Sequence, residues 1–218
     1  PLGNAVPGHY NGRNVALRQP VKLAAMEAQW ETERGAGFSL IVVPDEKNER
    51  NAVQAITIPG LTSWLSYGST DAEVLGLKDV PEELRPPVAL TFWSFRLMVG
   101  LGILMLALAI AAWWHHRKGT LPDRPLLLRF LLWSIPLPYV ATNLGWMTAE
   151  VGRQPWTVYG LITTADSVSP VAPADVAISL GLVVVFYAIL VGLDAYLLVR
   201  YAKAGPEAYD ERQVAVAD

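Results

Sequence analysis

Three nearly unbroken runs of hydrocarbon side chains constrain this chain more than anything else in it: Val88 to Trp114, Leu126 to Val151 and Val176 to Val199. Each exceeds the roughly 20 helical residues that cross about 30 Å of lipid interior. A buried helix of a soluble protein can be as apolar, but three in 218 residues would leave too little polar surface. Only 17% of the residues are charged, against about a quarter in a typical soluble domain. The expected fold class is therefore an all-α integral membrane protein. Three transmembrane helices follow an outer segment that carries a short helix.

What the chain lacks narrows its chemistry. It has no cysteine, so neither a disulfide framework nor a thiolate metal site is available. A net charge of −3 argues against nucleic acid as a partner. No Gly-rich phosphate loop, Ser-His-Asp set or zinc-ligand spacing occurs. The opening Pro1-Leu2-Gly3-Asn4 has neither an initiating methionine nor a signal-peptide pattern, so the chain is read as a piece of something longer, without a signal peptide.

Residues 1–87 are polar enough to lie outside the membrane. A helix is expected over Gln19 to Glu31, where Leu23, Met26 and Trp30 recur at helical spacing among alanines, with Pro20 in the first turn. Gly35 and Gly37 stop it. Phe38 to Val43 reads as a short strand ended by Pro44, Asp45 to Asn51 as a charged loop, and Leu61 to Tyr67 as an amphipathic aromatic stretch. His9, between Gly8 and Gly12, reads as an exposed loop histidine. The expected organisation is 1–87 as the outer segment, 88–201 as the transmembrane region (spans about 88–114, 126–151 and 176–199) and 202–218 as a tail.

Basic residues in short loops set orientation. His115, His116, Arg117, Lys118 and Arg124 follow the first span, and Arg200 and Lys203 follow the third. Both places belong on one side, which is therefore cytoplasmic, and residues 1–87 face outward. Trp113, Trp114 and Tyr201 would sit in the interfacial belts.

Ionisable groups within the apolar runs are functional candidates, because charge in lipid is costly. Glu150 and Arg153 are three apart at the end of the second run, spaced to share one helical face. Glu150 is open to several readings: an ion pair with Arg153, an interfacial carboxylate, a helix-end group, a haem ligand or a proton relay. Trp146, four residues earlier, either packs or flanks a macrocycle. Arg96 lies about nine residues into the first run, beyond a plain interfacial anchor, and would be comfortable beside a buried anion such as a propionate. Met98 is packing filler or an axial thioether ligand. Lys22 and Glu27 are five apart, about 140° around a helix, and by default are two solvated charges. Asp194, inside the third run, is assigned no role.

Three stretches in order carry a resemblance. Gln19 to Thr32 resembles the quinol-loop helix of the cytochrome bd ubiquinol oxidase subunit I family. Phe92-Trp93-Ser94-Phe95-Arg96-Leu97-Met98-Val99-Gly100 resembles that subunit's following span, and Gly145 to Trp156, ending Gly-Arg-Gln-Pro-Trp, its signature near the outer surface. The resemblance covers the carboxyl-terminal portion of the family's subunit. It implies quinol binding and oxidation at Lys22 and Glu27. It also implies axial ligation of low-spin haem b by Met98 with Arg96 nearby, and association of Glu150 with the high-spin haem iron beside Trp146 and Arg153.

The implied cofactors are low-spin haem b, high-spin haem b and haem d, with quinol as substrate. The implied partners are subunit II, a small accessory subunit, the amino-terminal half of subunit I and membrane lipid, in a bacterial inner membrane. The implied reaction is quinol oxidation at the outer face coupled to oxygen reduction, generating a proton gradient. One departure stands out: all three histidines lie outside the spans, so no intramembrane imidazole is present, and the fragment alone is expected to be inactive. The alternatives are a non-catalytic fragment that packs against a partner subunit, and a proton-using transporter built on Asp194 and Glu150.

Overall fold

The computed structural model describes residues 2–205. It forms two compact units, Pro1–Ser167 and Val168–Asp218. The second holds one long helix, α7 (Pro173–Ala204), apolar enough to cross a membrane. The expected tail, 202–218, falls mostly outside the described residues. Everything else below concerns the first unit.

The segment ahead of the first apolar run, expected to lie outside the membrane, begins with two helices, α1 (Leu2–Arg18) and α2 (Pro20–Glu27). Helix α1 corrects the expectation of a loop around His9: the histidine is on a helix, and is exposed as expected. Its buried Ala16 joins Leu23, Ala36 and Val74 in a small core, and Tyr67 Oη donates to the Ala16 carbonyl at 3.3 Å. Helix α2 is shorter than expected because Ala28 turns left-handed, with φ 51° and ψ 42°. That conformation costs a non-glycine residue about 1–2 kcal/mol. The chain beyond it is instead held by side chains: Trp30 Nε1 donates to Asn51 Oδ1 at 2.9 Å, and Asn51 Nδ2 donates to the Ala28 carbonyl at 3.1 Å.

Asn51 belongs to a hairpin. Strand β1 (Glu33–Arg34) is followed by β2 (Phe38–Asp45), which pairs antiparallel with β3 (Arg50–Ile58). Pro44 does not end β2; the ladder passes it with a register shift between Val43 and Pro44. The expected charged loop supplies the tight tip and the start of β3. Helix α3 (Leu61–Tyr67) and β4 (Glu73–Val74), paired with β1, complete the segment.

Helix α4 (Val88–Arg117) has 30 residues, about 45 Å at 1.5 Å per residue. That is longer than a lipid interior of about 30 Å. Its buried residues are confined to the first two turns: Val88, Thr91, Phe92 and Ser94. There it packs against α2 and β2 in a core with Val21, Ala24, Ala25, Trp30, Val42 and Leu77. Leu97, Ile103, Leu104, Ile110, Trp113 and Trp114 are exposed. Leu90 and Trp93 are exposed within those first turns as well, so one side of α4 is bare along its length, and beyond Ser94 no residue of the helix is buried.

The second apolar run is not one helix. It forms α5 (Pro125–Trp133) and α6 (Leu137–Val151), bent by 43° at a short break. Pro136 and Pro138 explain the break: each lacks an N–H, and a proline disfavours helical geometry in the residue before it. Among the described residues there are thus two helices long and apolar enough to span, or three if α5 and α6 form one span. A small hairpin of β5 (Trp156–Val158) and β6 (Ile162–Thr163) follows. The described residues are mostly helical, as expected, with three two-stranded sheets added outside the apolar runs.

Candidate functional site

Helix α2 carries two charges that the structure buries. Lys22 is 8% exposed and Glu27 9%, which corrects the expectation of two solvated groups. Their separation around the helix axis sends them to different partners, and each partner lies on a different apolar helix.

Lys22 reaches the end of α6, where its Nζ donates to the Ala149 carbonyl at 2.9 Å. Ala149 lies in the last turn, whose carbonyls lack intrahelical partners and form the negative end of the dipole. Burial holds the Lys22 amine below the usual lysine range; Arg153 pushes the same way and Glu150 opposes. Gly152 makes room for the lysine stem, since a Cβ there would come within 3.3 Å of Lys22 Cε.

Glu27 faces α4. Arg96 Nη2 donates to its Oε2 at 2.7 Å and Nη1 to its Oε1 at 3.3 Å, while Nη2 also donates to the Ser39 carbonyl at 3.0 Å. The guanidinium lies 4.1 Å from the Phe38 ring centroid and 4.8 Å from that of Phe92. The buried anion expected beside Arg96 is thus supplied by the chain itself. Burial pushes the Glu27 carboxyl above its usual range, against the pull of Arg96.

Two turns of hydroxyl and glycine lock α4 onto α6. Ser94 and Thr148 are buried with their hydroxyls 2.9 Å apart. One step outward, a Cβ on Gly152 would meet Thr91 Cγ2 at 3.0 Å; one step inward, a Cβ on Gly145 would lie 2.9 Å from Met98 Sδ. Small residues at a helix interface permit this close approach. Neither Ser94 nor Thr148 was singled out from the sequence, although a hydroxyl in each apolar run was a visible signal.

Glu150 and Arg153 do pair, at 2.5 Å, with side chains 39% and 41% exposed. They do so across a turn rather than on a shared helical face, because α6 ends at Val151. Arg153 Nη1 also donates to the Thr157 carbonyl at 3.3 Å. Trp146 is 65% exposed.

Among the described residues no three His, Asp or Glu side chains gather as a metal-ion site. A haem asks for something else, single axial donors and balancing cations, and the side chains present suit it in that sense. Met98 offers a soft thioether seated on Gly145, and Glu150 a half-exposed carboxylate. Arg96 Nε and Arg153 Nε are buried without a hydrogen-bond partner, so each keeps an open donor for an anionic oxygen.

The family model for cytochrome bd terminal oxidase subunit I matches residues 2–206. The chain is similar to cytochrome bd ubiquinol oxidase subunit 1 of Bacillus subtilis, at 36% identity over 99% of this chain and 48% of that protein. It is also similar to cytochrome bd-II ubiquinol oxidase subunit 1 of Escherichia coli, at 30% identity over 97% of this chain and 54% of that one. Among solved structures it resembles the bd oxidase from Geobacillus thermodenitrificans, with a TM-score of 0.76 and 32% identity over 94% of this chain and 46% of that one. The chain spans about half the length of the curated relatives it matches. A helical membrane chain matched along nearly all of its length by one family model, two curated subunits and a solved fold belongs to the cytochrome bd terminal oxidase subunit I family.

Proposed function

We propose that the chain forms part of a membrane quinol:oxygen oxidoreductase that oxidises quinol at its outer face and generates a proton gradient in aerobic respiration. One observation carries the reading. Helix α2 joins by buried charge the two helices that bear the candidate haem ligands, Glu27 to α4 through Arg96 and Lys22 to α6 through Ala149. A quinol-oxidising loop has to sit where both can be influenced.

In this reading Lys22, which spends one of its three N–H donors on Ala149, directs another at a quinol oxygen. Glu27 receives a quinol proton on a carboxylate oxygen, and burial, which favours its neutral form, suits it to hold that proton. Met98 Sδ would hold low-spin haem b, and Glu150 the high-spin haem with Trp146 beside it, while Arg96 and Arg153 balance negative charge. Haem b and haem d would supply the electron transfer from quinol to oxygen. Subunit II, a small accessory subunit and the rest of subunit I complete the assembly in a bacterial inner membrane. Residues 1–87 then face outward and the carboxyl terminus inward, and the chain by itself is inactive.

The test is Lys22→Met and Glu27→Gln in the full-length oxidase complex. Quinol-driven oxygen consumption should fall by roughly 10²-fold, the scale of a lost general base, while haem spectra persist. Normal quinol turnover in both variants would overturn the roles given to these residues.

A further inference from the structure

We infer that Gly145 is a positioning residue for the Met98 thioether: its bare backbone on α6 is the seat that fixes where the sulfur on α4 lies. The inference rests on the reading of Met98 as a haem ligand and adds a residue from the opposite helix to it.

The antiparallel contact between α4 and α6 runs through three successive layers, Thr91 with Gly152, Ser94 with Thr148, and Met98 with Gly145. The middle layer fixes the register. Ser94 Oγ and Thr148 Oγ1 are 2.9 Å apart, and each is also within reach of its own helix, at the Thr91 carbonyl and the Leu144 carbonyl. Sliding one helix against the other would break the bond between the two hydroxyls and leave each with its own-helix carbonyl alone, at a cost of about one hydrogen bond. With the register held, the thioether meets whatever occupies position 145.

The two glycines differ in what a side chain would strike. At Gly152 a Cβ would lie 2.5 Å from the Thr148 carbonyl oxygen, a backbone atom that cannot move without unwinding α6. At Gly145 it would meet only Met98, at 2.9 Å from Sδ and 3.9 Å from Cγ. Methionine has three rotatable bonds and yields easily. Alanine at position 145 is therefore tolerated by the fold and is felt by the sulfur alone. A liganding role and a packing role thus separate at this one position.

The experiment uses the full-length oxidase complex, purified in detergent, with Gly145→Ala, Gly152→Ala and Met98→Leu. Two readouts are taken: the reduced-minus-oxidised absorbance of low-spin haem b and the thermal melting of the complex. Gly145→Ala should melt with the parent yet lose most of the low-spin signal, and Gly152→Ala should melt early. A normal low-spin spectrum in Gly145→Ala, while Met98→Leu abolishes it, overturns the positioning role and leaves the haem reading standing. A normal spectrum in Met98→Leu overturns the haem reading itself. Early melting of Gly145→Ala also overturns the inference, since it makes position 145 a packing site.

Discussion

Arg96 and Glu27 meet through both guanidinium nitrogens and both carboxylate oxygens, at 2.7 and 3.3 Å, with side chains only 9% and 6% exposed. Sixty-nine residues separate them in sequence. The pair joins the end of α2 to α4 just beyond that helix's last buried residue, Ser94.

Removing one member of a buried pair leaves the other without compensation, at a cost of about 3–5 kcal/mol. The two deletions should not be equal. A lone carboxyl can take up a proton, whereas a lone guanidinium cannot release one. Glu27→Leu should therefore lower the melting temperature of the detergent-solubilised complex more than Arg96→Leu does. Equal losses, or the reverse order, would show that the aromatic contacts of Arg96 with Phe38 and Phe92 dominate instead.

Glu27 also predicts a pH dependence. Burial raises its carboxyl pKa on folding, against the pull of Arg96. A raised folded-state value means its contribution is complete below the unfolded value of 4.5 and is lost as pH rises through the folded value. Melting temperature should decline as pH climbs above 4.5, and Glu27→Gln should remove that component. Parallel pH profiles for the two proteins would show a carboxylate that stays ionised.

Gly76 should tolerate nothing larger. A Cβ there would run into the backbone of Glu31 and Thr32 and lie 2.6 Å from the Trp30 carbonyl oxygen. The following amides are committed to the same chain, Leu77 N–H to the Gln29 carbonyl at 2.9 Å and Lys78 N–H to the Trp30 carbonyl at 3.0 Å. Gly76→Ala should cost upwards of about 1–3 kcal/mol, the range for overpacking. Protease digestion of the outer segment in membrane vesicles would report it, and an unchanged digestion rate would refute the close contact.

The tip of the β2–β3 hairpin caps α4. Glu46 Oε1 accepts the Ala89 N–H at 2.7 Å, placing a carboxylate at the positive end of a 30-residue helix. Glu46→Ala should destabilise by about 1 kcal/mol. Glu46→Gln, which keeps the acceptor and loses the charge, should cost less. Identical melting of Ala and Gln variants would assign the effect to charge alone.

Local signals were legible in the chain, and distant partners were not. The apolar run that starts at Val88 becomes α4 from its first residue, and Phe38 to Val43 becomes a strand. Helix α1 was hidden by Gly3, Pro7, Gly8 and Gly12, which argue locally against a helix that docking through Ala16 sustains. The break at 134–136 was written in Pro136 and Pro138 but lost in the average apolarity of the run. The end of α2 at Ala28 could not be read, because alanine favours a helix and the residue that captures the chain, Asn51, lies in another strand. Lys22 and Glu27 looked solvated for the same reason. Ala149 and Arg96 are remote in sequence, so no spacing rule connects them.

Helix α2, the β2–β3 hairpin and α6 form a collar around the first turns of α4. Thr91, Ser94 and Arg96 are shielded only while α2, the hairpin and α6 surround them. Stripped of that sleeve, α4 would present two hydroxyls and a guanidinium with no protein around them. Shelter for these polar groups is thus a property of the assembled whole and not of the helix that carries them.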